Sequence, residues 1–200
     1  MRLMLRPRLR RLAALGLAFA GAATLSLAPA QAQAGAWDYL LPPPRTCGPA
    51  ETNAWWPAAD QAAAAACLVN KVRENYGVRP LVRAGALDIA AYFKASDIGR
   101  CQTADGSVWH TACGKPMDYW ANRFGWGDFC TSRLWESVYP TYTPYATARH
   151  TVLAFLNSDK GHREALLDAR NTYQGMNVVK LANGWLGHSG GQVWVNYYCY

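Results

Sequence analysis

The sequence predicts an α+β domain, and three observations carry that reading. Helical apolar periodicity runs through the middle of the chain, two β-rich runs lie near its C-terminus, and six cysteines form an even set. With 200 residues, 51% of them hydrophobic, the chain is long enough for one ordinary domain with a sizeable core.

The helical part begins at Ala58. Leu68, Val72 and Tyr76 recur every four residues, and Gly77 stands where a left-handed C-terminal cap belongs, so a helix of about 18 residues is expected. A second helix follows, with Ala86, Ile89, Ala90 and Phe93 on one face and Gly99 beyond its end. Pro116 suits a first helical turn, and Met117, Trp120, Ala121 and Phe124 carry the i, i+3, i+4, i+7 spacing of a core stripe. Thr143-Pro144 reads as an N-cap followed by proline at the first helical position. Ala148, Val152, Phe155 and Leu156 give that helix its buried side, and it should stop near Asn157. The tail changes period: Met176 to Leu181 and Val193 to Tyr198 are short β-rich runs, separated by a loop holding Gly184, Gly187, Gly190 and Gly191, and they read as a hairpin.

Residues 1–34 do not belong to this core. Arg2, Arg6, Arg8, Arg10 and Arg11 form a basic front, and an uncharged stretch from Leu12 to Ala28 follows. Small residues then alternate from Ala28 to Ala34, so a secretory signal peptide cleaved after Ala32 or Ala34 is expected, Arg10-Arg11 being a weak twin-arginine signal. An uncleaved anchor is the alternative, since the apolar run is near the lower limit for spanning a bilayer. The expected product is exported, extracellular or periplasmic, and not an integral membrane protein once cleaved. Residues 35–57, with Pro42-Pro-Pro44 and Trp55-Trp56-Pro57, suit an extended arm on the surface of a domain spanning 58–200.

Removing the leader takes five of the twenty Lys and Arg and none of the thirteen acids. Fifteen basic residues against thirteen acidic ones leave +2. The basicity belongs to the export signal, no basic stripe remains, and nucleic acid is excluded as an expected partner. The cysteines, Cys47, Cys67, Cys101, Cys113, Cys130 and Cys199, all lie in the mature part. In an exported chain they read as three disulfides, with fifteen connectivities open. No Cys-x-x-Cys pair supports a zinc ribbon or a redox site. Cys101 and Cys113 flank His110, so a bridge between them would close a loop carrying that histidine.

Chemistry concentrates in three segments: Ser107-Val-Trp-His-Thr-Ala-Cys-Gly114, Leu134-Trp-Glu-Ser137 and Phe155-Leu-Asn-Ser-Asp-Lys-Gly-His-Arg163. They supply His110, Glu136 and His162, two imidazoles and a carboxylate of the kind that ligate zinc or move protons near neutral pH. Plainer roles compete with these. His110 could be a hydrogen-bonded structural residue beside Trp109, and Glu136, alone among Trp135, Val138 and Tyr139, must be partnered or solvent-facing. His162 could cap its own helix. His150, next to Arg149, reads as a surface residue, and His188 in the glycine-rich loop carries no assigned role.

In order and wording, residues of about 62 to 200 resemble a bacterial member of the CAP superfamily, which comprises the cysteine-rich secretory proteins, antigen 5 and the plant pathogenesis-related proteins and whose module is also called the SCP domain. The resemblance rests on the helix Leu68-Val-Asn-Lys-Val-Arg-Glu-Asn-Tyr-Gly77, Arg79-Pro-Leu81, His110-Thr111, Trp135-Glu136, Asn157-Ser158, Gly161-His162-Arg163 and Gly175-Met-Asn-Val-Val179. The Asn-Ser-x-x-Gly-His-Arg segment is the most specific match; the bacterial family's version is one residue shorter.

This resemblance implies a disulfide-stabilised, three-layer α-β-α sandwich with a small antiparallel sheet and a surface cleft lined by His and Glu. In many relatives two His and two Glu there hold zinc or another divalent cation. By position His110 matches the first histidine, Glu136 the glutamate of the family's Gly-Glu-Asn segment, and His162 the second histidine. The segment departs from the family as Trp135-Glu136-Ser137, and the second glutamate has no counterpart among Asn157, Ser158 and Asp159.

Three function classes follow. The first is a binding module whose cleft takes a divalent metal or an extracellular or envelope ligand without turnover. The second is a hydrolase in which Glu136 acts as general base on a water polarised by a metal on His110 and His162, or in which one histidine acts directly. The third is a lipid or sterol carrier, and the nine Trp and eleven Tyr could equally stack on the sugars of a wall polymer. No Ser-His-Asp or Cys-His motif supplies a nucleophile, and binding ranks first because the bacterial relatives that the chain resembles share no established reaction.

Overall fold

Gln192–Cys199 reads Gln-Val-Trp-Val-Asn-Tyr-Tyr-Cys, and every residue of it is buried, the signature of a strand covered on both faces. The computed structural model, which describes residues 35–101, 110–182 and 190–200, shows what covers it. The expected leader, Trp109, Gly184, Gly187 and His188 lie outside the described residues.

The sheet has four strands: β1 (Val82–Arg83), β2 (Leu134–Thr141), β3 (Tyr173–Lys180) and β4 (Gln192–Cys199), in the order β1-β3-β4-β2. β4 runs antiparallel to both neighbours, and β3 and β4 form the expected hairpin. The sheet is nevertheless mixed, because the two-residue β1 joins β3 in parallel.

Alternate side chains separate the two faces. Met176, Val178, Trp194 and Tyr198 share one core with α1 (Ala58–Tyr76), α4 (Ala148–Leu156) and α5 (His162–Leu167). Leu134, Val138, Val193, Val195 and Tyr197 share the other with α2 (Gly85–Arg100) and α3 (Tyr119–Arg123). The result is the three-layer α-β-α sandwich.

Several local expectations shift. α1 ends at Gly77, which has φ 89°, but Tyr76 is half-exposed and Val69 takes its place on the buried face. α2 buries Leu87, Ala90, Ala91, Lys94, Ala95 and Ile98, while Ile89 and Phe93 face outward. Gly99 lies inside this helix against Leu181 rather than beyond its end. The Met117 stripe forms only the short α3. The last long helix is capped four residues later than Thr143, by Thr147, whose Oγ1 accepts from the His150 amide at 3.1 Å. Thr143 instead closes a turn, its Oγ1 accepting from the Tyr145 amide at 3.2 Å.

Residues 35–57 are not extended. They form two 3-10 turns, Asp38–Leu40 and Pro49–Glu51, and insert Leu40 and Ala50 into the core of α1. β2 carries no clear period-two signal, because both its faces are covered and Glu136 and Ser137 interrupt the apolar residues. Its edge position tolerates Pro140.

Three disulfides pair Cys47 with Cys67, Cys101 with Cys113, and Cys130 with Cys199. They tie the N-terminal segment to α1, close the loop that carries His110, and fasten the C-terminal end of β4 to the segment before β2. Arg73 of α1, fully buried, locks α5 in place. Its Nη1 donates to the carbonyls of Leu166 at 2.6 Å and Asp168 at 3.1 Å, and its Nε to that of Arg79 at 2.9 Å. These bonds satisfy the carbonyl end of α5 and fix the direction in which its first residue, His162, projects.

β3 crosses α2 at Gly175, where an added Cβ would overlap the backbone of Leu87 and Asp88. Asp88 strengthens this crossing by accepting from the Met176 amide at 2.9 Å. Gly175→Ala is therefore expected to lower unfolding stability by about 1 to 3 kcal/mol, the usual range for overpacking. Urea denaturation would show it, and an unchanged midpoint would contradict the close crossing.

Candidate functional site

His110, Glu136 and His162 line one cleft of about 320 Å³ at the β2 edge of the sheet. Each comes from a different part of the sandwich. Glu136 is on the face of β2 that meets α2, His110 sits in the loop closed by Cys101–Cys113, and His162 opens α5 in the opposite helical layer. Gly161 makes the last placement possible. Its φ of 88° turns the chain sharply into α5, a conformation glycine adopts without the steric cost other residues meet. The His162 ring packs edge-on against Phe155 of α4 at 5.4 Å.

Glu136 is the centre of the arrangement, with no exposed side-chain surface. Its Oε1 accepts a hydrogen bond from His110 Nδ1 at 2.8 Å. Since a carboxylate only accepts, this bond places the proton on Nδ1 and leaves Nε2 as the other ring nitrogen. Its Oε2 lies 3.7 Å from the ammonium of Lys94, which is itself buried. That distance is an ion pair and not a hydrogen bond, and Oε2 has no hydrogen-bond partner among the described residues. Lys94 Nζ donates instead to the backbone carbonyl of His110 at 2.6 Å. One lysine thus balances the carboxylate and holds the histidine's backbone.

Lys94 is the functional residue that the motifs missed. Its signal was present, because it stands on the buried stripe Leu87, Ala90, Ala91, Lys94, Ala95, Ile98 of α2, where a cation needs a buried partner. Burial lowers its pKa, and Glu136 opposes that shift. Tyr197, paired in register with Glu136, donates its hydroxyl to the Met117 carbonyl at 2.8 Å. Burial and the nearby carboxylate push that hydroxyl's pKa far above its usual value. Asp97 anchors the rest of the loop to α2, accepting from Lys115 Nζ and Trp120 Nε1, each at 2.7 Å.

His162 has its pKa lowered by burial and by the neighbouring His110, with Glu164 opposing. His150 lies apart from the cleft and pairs its Nε2 with the Tyr139 hydroxyl at 2.8 Å.

The donor set does not fit the two-histidine, one-carboxylate metal centre. Glu136 has one oxygen on His110 and the other against an ammonium, and among the described residues no three His, Cys, Asp or Glu side chains are placed to hold a metal. Glu136 orients a histidine.

A mixed sheet between two helical layers, with a His/Glu cleft at its edge and three disulfides, defines the class of module. The chain belongs to the cysteine-rich secretory protein family, CAP, whose family model matches residues 67–199. Among solved structures, a cysteine-rich secretory protein from Staphylococcus aureus Mu50 is 15% identical with a TM-score of 0.51, over 72% of this chain and 40% of that one. An outer surface protein from Borrelia burgdorferi is 17% identical with a TM-score of 0.54, over 72% of this chain and 95% of that one. At such identities the likeness is one of fold. No curated protein matches the sequence. Among the described residues, no helix is long and apolar enough to cross a membrane.

Two predictions follow from the ion pair and the histidines. Lys94→Met leaves Glu136 buried without its cation and should cost about 3 to 5 kcal/mol, and adding Glu136→Gln should recover part of that loss. Denaturant melts of the four proteins in the cycle measure it; strictly additive effects would rule out the coupling.

For His162, a folded-state pKa below the unfolded value of 6.5 means that the unfolded chain binds the proton more readily. Stability should therefore rise with pH through the window from the folded pKa up to 6.5 and then level off. Below the folded pKa the full penalty applies. Thermal melts of wild type and His162→Gln across pH 4.5 to 8 should show a shallower slope in the variant in that window.

Proposed function

We propose that the chain is a secreted CAP module whose His110–Glu136–His162 cleft binds an extracellular or cell-envelope ligand without breaking a bond in it. The observation that carries this reading is the state of Glu136: the one buried carboxylate of the cleft is committed to His110 and Lys94. Its side chain has no exposed surface through which to meet bulk water. Among the described residues, no Ser, Thr or Cys lines the cleft to act as nucleophile. All six cysteines are in disulfides, which supports an oxidising compartment outside the cytoplasm.

The lining also discriminates among ligands. Alongside His110, Glu136 and His162, the cleft wall holds Arg133 and Lys160, so most of its side chains are ionisable. Burying a sterol or acyl chain against them would desolvate charge without compensation, whereas a polar ligand would use them. A wall or matrix polymer is favoured over a lipid.

One specific observation supports a second reading. The Glu136–His110 hydrogen bond is the orienting half of a general-base dyad, and His110 is half-exposed, so its Nε2 could act directly on a bound substrate.

Depletion of the purified protein by isolated cell walls, compared with phospholipid vesicles, tests both. Walls should remove the protein and vesicles should not, with affinity reduced at least tenfold in His110→Ala and in His162→Ala. Failure of walls to deplete the wild type would sink the binding reading, and His110-dependent release of soluble fragments would replace it with the hydrolytic one.

A further inference from the structure

A second depression of about 650 Å³ adjoins the cleft and shares two of its residues, Arg133 and Trp135. The two form one groove along the β2 edge, with the histidines at one end and Trp37 and Arg163 at the other. Two indoles lie along it. The Arg133 guanidinium stacks on Trp135 at 3.8 Å from the ring centroid, and that of Arg163 covers Trp37 at 5.1 Å.

Most charges in this groove already have partners. Arg163 donates to Glu164 at 2.8 Å, and Arg170 bonds Asp168 through two contacts at 2.7 and 2.9 Å. Glu136 is balanced from behind by Lys94. Arg133 differs: it is exposed, and no carboxylate lies within 4 Å of it among the described residues. Arg133 lowers the pKa of Asp168 only at longer range, and that carboxylate is already bonded twice by Arg170, so a surplus cation stands at the junction of the two depressions. Stacking uses the face of the guanidinium and leaves its N–H edge available, and that edge is a planar fork matched to the paired oxygens of a carboxylate or phosphate.

We infer that the groove binds a glycan bearing oxyanions, with a carboxylate or phosphate on Arg133 and adjacent sugar rings along the Arg133–Trp135 and Arg163–Trp37 stacks. This rests on the binding reading above and names its ligand class. A neutral glycan would leave the surplus cation unused. An acyl chain would desolvate the arginines. An acidic peptide could satisfy Arg133 but has no rigid, hydroxyl-bearing rings to lay along the two guanidinium–indole stacks.

The test uses the full-length secreted protein and isothermal titration at 50 and 200 mM salt. The probes are polygalacturonate oligomers for the carboxylate, poly(ribitol phosphate) for the phosphate, dextran as a neutral glycan, and poly-glutamate. At least one of the two anionic glycans should bind, whichever source supplies the oxyanion, more weakly at the higher salt. Arg133→Met, on an exposed position, should lower that affinity at least tenfold, and Arg133→Lys should lower it less. Equal binding of dextran or of poly-glutamate would overturn the proposal. So would an unchanged affinity in Arg133→Met or no binding of either anionic glycan at millimolar concentration. Cell-wall depletion separates the two levels: if walls deplete Arg133→Met as well as wild type, the ligand class is wrong while the binding module stands, and if walls do not deplete the wild type, the module reading itself fails.

Discussion

A carboxylate enclosed with no solvent contact must be matched in place by charge and hydrogen bonds, because water cannot supply either. Glu136 sets that requirement at the β2 edge of the sheet, and much of the surrounding structure answers it. Lys94 supplies the cation from α2, at the same time binding the backbone of His110. His110 supplies the hydrogen bond through Nδ1. All three groups are fixed by one another, and the cleft's geometry depends on how tightly α2 packs on the sheet.

That packing is secured at several points. Asp88 and Gly175 hold β3 close to the start of α2, and Asp97 holds the 110–120 loop to its end. The Cys101–Cys113 bridge spans the segment between, so His110 has little freedom to leave Glu136. On the other side of the sheet Arg73 performs the corresponding task, fastening α5 and so the position of His162. The two histidines reach the cleft from opposite layers, and only the edge strand lies between them.

This arrangement shapes the chemistry on offer. A carboxylate already engaged with a lysine and a histidine is a poor metal ligand and a poor general base, but it is a good orienting group. Arg133 stands exposed against the Trp135 ring, with no carboxylate within 4 Å among the described residues, and the proposed anionic-glycan reading rests on that feature.

Much of the fold was legible in the chain. Apolar spacing marked α1 and the buried side of α4, because each has one face against a core and reports it as a period, while β-rich composition around a glycine-rich loop marked the terminal hairpin. The family motifs identified His110, Glu136 and His162. β2 is missed because it is covered on both faces and Glu136 and Ser137 break its apolar residues, so it shows no clean alternation. The spacing predicts α2 but misplaces its buried side, because that side carries a lysine, Lys94. Proline and tryptophan made residues 35–57 look like an arm, yet the Cys47–Cys67 bridge and Leu40 draw them into the core.

The sequence by itself determined the longer helices, the hairpin and the family, since these depend on local periodicity and on residue order. Only the tertiary structure decided what Glu136 does. Its partner Lys94 is 42 positions away on another layer, and a charge-balancing contact across that separation leaves no periodic trace in the chain. The same is true of the groove, whose indoles and arginines come from the N-terminal segment, β2 and α5 and meet only when the sandwich closes.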